Sequence, residues 1–222
     1  MNSNPSNPDG GAAALVILVH GLWQSGLELF VMRRRLQADG SLRALFFSYP
    51  TIVGTMSNHV RRLIDCARAH QAERLHFVGH SLGGLVVLRA LEVTDDLPPG
   101  RAVLLGSPLQ GSRTAQSLAK LPFGRALLGG ALSAECVDWS PREWSGRREV
   151  GVIAGSMGFG VGRLLANLDE AHDGTVLVEE TRLPGAKDHL VVAASHTGLL
   201  VSPKVAAQTR HFLEHGAFQR DD

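Results

Sequence analysis

The chain has 222 residues, 44% of them hydrophobic and 19% charged, which fits one globular domain with a sizeable core and excludes a disordered chain. Its 22 basic and 21 acidic residues nearly cancel to a net charge of +1, leaving no electrostatic footprint for nucleic acid. Two cysteines, Cys66 and Cys136, are too few for a disulfide framework and point to a reducing compartment.

Residues 1–11 (MNSNPSNPDGG) read as a flexible lead-in, and 12–222 as a single domain. The apolar run that follows has no basic segment before it and ends in His20-Gly21 rather than at a small-residue cleavage site. It is therefore read as a strand and not as a signal peptide. No apolar stretch approaches the roughly 18 residues of a membrane span, so a cytoplasmic protein is expected. Strands are expected at 14–19, 44–48, 75–79, 101–105, 150–154 and 189–193, each a near-continuous apolar run suited to a parallel sheet covered on both faces. Between them, Val60, Leu63, Ile64 and Ala67 form one helical face after a Ser57 cap, 85–91 forms a second helix, and 205–213 closes the chain after Pro203. This alternation is that of an α/β fold with helices on both faces of about six strands. The interval 112–147 breaks the rhythm. Its leucines are spaced as in packing helices, and the segment lies where a small helical cap would cover the sheet's ligand-binding edge.

The chemistry centres on Gly79-His80-Ser81-Leu82-Gly83. A Gly-x-Ser-x-Gly pattern is weak alone, but here it follows a strand and opens a helical run, the setting of a nucleophile elbow. The serine of such an elbow sits on a strained turn, and its flanking glycines avoid collisions with the strand and helix. Serine is a poor nucleophile at neutral pH, so an acid and then a histidine are required downstream.

Of ten histidines, His59, His70 and His76 precede Ser81, and His211 and His215 belong to the last helix. His20 and His80 flank the site and read as supports for its turns. His196 is preferred over His172 and His189 because it lies in a loop at the C-terminal end of the last strand, within reach of the serine. For the acid, Asp173 in Asp173-Gly174-Thr175-Val176 is preferred to Asp169, with Asp188 a further rival. The glycine-rich stretch 155–162 lacks the Gly-Lys-Ser/Thr ending of a phosphate-binding loop and reads as a connection to the acid. No metal-ligand spacing occurs, so neither metal nor cofactor is expected. The run Arg33-Arg34-Arg35 reads as a solvated helix face.

His20-Gly21-Leu22 after the first strand, the elbow, Gly106-Ser107-Pro108-Leu109-Gln110-Gly111-Ser112 after the fourth strand, and Ser195-His196-Thr197-Gly198-Leu199 occur together. In this combination the chain resembles the small bacterial lipases and esterases of the α/β-hydrolase superfamily. The resemblance implies acyl transfer through Ser81, with His196 as base, Asp173 orienting it, and the N–H groups of Leu22 and Leu82 as oxyanion hole. The expected substrate is a small apolar ester. An acyltransferase or thioesterase with the same triad, and a non-catalytic binding protein of the same fold, are the alternatives.

Overall fold

The protein is described here by a computed structural model over residues 14–158 and 170–220. The expected lead-in, residue 169 and the later part of the glycine-rich stretch lie outside the described residues. In chain order the elements are β1 (Ala14–Val19), α1 (Phe30–Leu36), β2 (Leu42–Phe47), α2 (Met56–Ala69), β3 (Leu75–His80), α3 (Leu82–Val93) and β4 (Ala102–Leu105). They continue with α4 (Arg113–Ala119), α5 (Gly124–Leu132), β5 (Val150–Gly155), β6 (Asp188–Val192), α6 (Gly198–Val201) and α7 (Pro203–His215). The six strands form one parallel sheet in the order β2-β1-β3-β4-β5-β6.

The continuous apolar strands follow from burial on both faces. Along β1, Leu15, Ile17 and Val19 pack on the side of α2 and α3, while Val16 and Leu18 pack on the side of α1 and α7. Helix α2 is held by Val60, Leu63, Ile64 and Ala67, and α7 by Val205, Ala206, Phe212 and Leu213. Burial of each larger side chain contributes about 2 kcal/mol.

Two helix starts differ from expectation. Thr55, not Ser57, caps α2, its side chain accepting the Asn58 N–H, and helical turns are already under way at Met56. Helix α3 begins at Leu82 rather than at 85, because packing overrides the low helix propensity of Gly83 and Gly84. The interval 112–147 contains α4, α5 and a π-helical turn, Ser133–Val137. Among the described residues no helix is long and apolar enough to cross a membrane.

The strand order reverses direction at β1: β2 lies on one side of it and β3 on the other. Ligands of open parallel sheets bind beyond the carboxyl ends of the strands at such a switch. The loops after β1 and β3 are those that carry Gly21-Leu22 and Ser81.

Candidate active site

Ser81 stands between β3 and α3 with φ 54° and ψ −122°, a left-handed backbone that disfavours residues with side chains. The turn is over-determined by its neighbours. Ser81 N–H donates to Leu105 O (2.9 Å), and Ser81 O accepts the Gly84 N–H (3.0 Å). A Cβ on Gly79 would lie 2.5 Å from Gly84 Cα, and one on Gly83 would collide with the carbonyl of Val19. Both glycines are thus demanded by close approach of backbone to backbone.

Two main-chain N–H groups belong to the turns that adjoin Ser81. Leu82 N–H is the first of α3, where no preceding carbonyl of the helix is available to it. In the loop after β1, Gly21 N–H donates to Gln24 Oε1 (2.8 Å) and Trp23 N–H to Thr51 Oγ1 (3.1 Å). The intervening Leu22 N–H has no acceptor among the described residues. The loop lies against Ser81, since a Cβ on Gly21 would meet Ser81 Cβ at 3.0 Å. Buried His20 anchors its base: Tyr49 O–H donates to the His20 carbonyl (2.9 Å), and the two rings stack at 4.7 Å.

Asp173 and His196 meet across two loops. His196 Nδ1 lies 2.7 Å from Asp173 Oδ2, and His196 N–H donates to the Asp173 carbonyl (2.8 Å). The other carboxylate oxygen accepts the N–H groups of Thr175 (2.9 Å) and Val176 (2.8 Å), so the side chain is fixed at both ends and buried. Gly106, at φ 54°, lies beneath the pair; a Cβ there would stand 3.0 Å from Asp173 Oδ2. With Asp173 Oδ2 accepting Nδ1–H, a neutral His196 imidazole carries its lone pair on Nε2. Ser81 and His196 line the same cavity without a hydrogen bond between them, as is common before substrate aligns such groups.

The rivals are occupied elsewhere. His172 Nδ1 accepts the Gly174 N–H (3.0 Å), His189 Nε2 pairs with Thr181 Oγ1 (2.9 Å), and Asp188 pairs with Arg220. His76 accepts the Arg101 N–H (3.0 Å) at the other end of β3. Glu180 escaped sequence reasoning. Its buried carboxylate accepts Arg113 N–H (2.6 Å) and Leu177 N–H (2.9 Å), tying the start of α4 to the loop of Asp173, and burial pushes its pKa up. Thr114 Oγ1, donating to Thr175 O (2.6 Å), adds a second tie. No local pattern marks either tie, because Arg113 lies 67 positions from Glu180 and Thr175 lies 61 from Thr114.

The cavity above Ser81 measures about 310 Å³. Leu118, Leu128 and Leu132 from α4 and α5 line it together with Pro108 and Val176, so its walls are largely apolar. Trp23, 59% exposed, spans from the Leu22 loop to α5, its indole N–H donating to Leu127 O (3.1 Å). Among the described residues no group of three His, Cys, Asp or Glu side chains is placed to hold a metal ion.

A sequence profile of the Alpha/beta hydrolase family matches residues 16–199, from β1 into α6. The chain belongs to this family. No curated protein matches this alpha/beta hydrolase by sequence. Solved structures do match its fold. The mature form of Bacillus licheniformis lipase BlEst2 superposes with a TM-score of 0.72 at 18% identity, covering 94% of this chain and 92% of that one. A metagenomic carboxyl esterase, MGS0156, gives 0.64 at 18% identity over 92% and 76% of the two chains. The Vlm2 thioesterase domain gives 0.62 at 12% identity over 95% of each. At these identities the likeness is one of fold.

Proposed function

We propose that this hydrolase cleaves carboxylic esters of short to medium acyl groups, with Ser81 as nucleophile, His196 as general base and acid, and Asp173 orienting His196. The observation that carries this reading is the convergence of a serine on a left-handed turn with a histidine held by a buried carboxylate, in one apolar cavity. Ser81 Oγ attacks the ester carbonyl carbon while His196 Nε2 takes the hydroxyl proton. The oxyanion so formed faces Leu22 N–H and Leu82 N–H, each such donor stabilising the transition state by about 3 kcal/mol. The protonated His196 then gives its proton to the departing alkoxide. Water, deprotonated by the same imidazole, attacks the acyl-serine, and the carboxylic acid leaves with Ser81 restored.

The apolar walls favour an uncharged acyl chain, and the scheme needs neither metal nor cofactor. The likeness to a thioesterase domain supports a second reading, in which the leaving group is a thiol. The free thiols Cys66 and Cys136 fit a cytoplasmic setting. Release of p-nitrophenol from a series of acyl esters tests the main reading. Turnover that disappears in Ser81→Ala is expected; a folded native protein inert to the whole series overturns it, and a preference for acyl thioesters selects the second reading.

A further inference from the structure

Three side chains converge on Gly21: a Cβ there would meet Ser81 Cβ at 3.0 Å, His80 Nδ1 at 3.1 Å and Gln24 Oε1 at 3.2 Å. Two of them, Gln24 and His80, have no part in the chemistry proposed above. Gln24 closes its own loop, its main-chain N–H donating to Gly21 O (3.4 Å) while its side-chain oxygen accepts the Gly21 N–H (2.8 Å). The latter bond orients the strand end that precedes the Leu22 peptide. The imidazole of His80 is buried between the two loops. Its Nδ1 lies 3.3 Å from Gln24 Oε1, its Nε2 lies 3.1 Å from the main-chain oxygen of His196, and its ring centroid is 4.6 Å from that of His196.

We propose that Gln24 and His80 are positioning residues that brace the oxyanion-donor loop against the base loop, so that Leu22 N–H and His196 keep their places on either side of Ser81. The inference rests on the ester-hydrolase reading for what those places are used for.

Counting protons decides how the brace is wired. Both neighbours of the His80 ring are oxygens, and a neutral imidazole has one N–H to donate. Burial, followed by the proximity of His196, holds His80 well below the usual histidine range, so the neutral form is present. The shorter contact takes the proton: Nε2–H donates to His196 O (3.1 Å), while Nδ1 and Gln24 Oε1, at 3.3 Å, are both acceptors and meet by steric packing alone, with Gln24 Oε1 accepting the Gly21 N–H (2.8 Å). An imidazolium at His80 would satisfy both oxygens, but it would place a second cation beside His196 when that ring accepts the proton of Ser81. A neutral His80 avoids this repulsion during the reaction. Asp173 thus holds His196 through its ring and its main-chain N–H, and His80 holds its main-chain carbonyl.

The test uses Gln24→Leu, His80→Leu and His80→Gln in the full chain, read by steady-state turnover of p-nitrophenyl butyrate and by the downfield proton resonance of the His196 Nδ1–H. Gln24 is only half-buried, so its variant leaves the claim open to refutation even if His80→Leu fails to fold. Each leucine variant is expected to lose about 100-fold in kcat with KM within a few-fold of native, the scale of a misplaced reacting group. The Gln24→Leu/His80→Leu double variant should be no worse than the poorer single one. His80→Leu should shift or broaden the His196 resonance, and His80→Gln, which keeps a donor, should recover most of both. Native kcat in both leucine variants, a loss confined to KM, or strictly multiplicative losses overturn the brace while leaving the hydrolase reading intact. If the native protein cleaves no ester, that reading fails instead, and an unmoved His196 resonance in His80→Leu then overturns the brace separately.

Discussion

The elbow and the helical segment above it line one cavity, yet they are built by opposite rules. From Gly79 to Leu88 every residue except Ser81 is buried, and the turn at Ser81 is held by backbone contacts that leave no space for a Cβ on either flanking glycine. The segment from α4 to the π-helical turn is made of helices of seven and nine residues, too short to persist without tertiary packing. Phe123 opens α5 in the left-handed region while 84% exposed, and Gly129 interrupts the helix at φ 74°. The residues of the proposed triad sit on the over-determined sheet edge, whereas the cavity's apolar walls are borne by short helices.

That contrast can be broken or sharpened by substitution. Asp173→Asn should give the largest effect, since it removes the acceptor that fixes the His196 tautomer; kcat for ester hydrolysis is expected to fall by about 10⁴-fold in a protein that still folds. Gly83→Ala drives a methyl group into the Val19 carbonyl and should lower stability by about 3 kcal/mol in urea unfolding, because neither strand nor helix can retreat. If the elbow absorbs this change, it is not over-determined.

The strand beneath the elbow carries a pH dependence. Burial first, and then the neighbouring Arg148, Arg101 and Arg74, lower the pKa of His76 to about 4. The unfolded chain therefore binds the proton more readily than the folded one. Stability should be complete above about pH 6.5 and fall by about 3 kcal/mol as the pH drops toward 4, a slope that His76→Gln should reduce.

Effects in the upper segment should be smaller and different in kind. Leu128→Trp places a bulky ring in the cavity and is expected to lower kcat/KM for longer acyl esters by about 10- to 100-fold relative to acetate esters, with little change for the latter. An unchanged chain-length profile would show that α5 does not meet the acyl group. Phe123→Gly trades backbone strain for chain entropy, and thermal unfolding should register less than about 1 kcal/mol.

The same contrast governs what could be read from the sequence. Strands β1, β3 and β5 are legible to within a residue or two because buried parallel strands are uninterrupted apolar runs. The elbow is legible because its requirements are local, with two glycines within two residues of Ser81. Helix α3 starts at Leu82, before the expected run 85–91, because Gly83 sits against the end of β1 and Gly84 against Ser107, contacts that no local pattern announces. Asp173 and His196 could be nominated from chain order and from their loops, but the 2.7 Å contact between them depends on β5 and β6 being neighbours. Gln24 and Glu180 carry no motif. Gln24 meets His80 from 56 positions away, and Glu180 meets Arg113 from 67, so nothing in their flanks announces the contact.

The claim that Ser81, His196 and Asp173 act as one acyl-transfer unit is tested most directly by mass spectrometry of the intact, folded protein after brief exposure to a fluorophosphonate. The account predicts a single adduct, mapped to the peptide containing Ser81, that forms far more slowly in His196→Ala and not at all in Ser81→Ala. An adduct on another residue, or a native protein that is folded and unmodified, would contradict it.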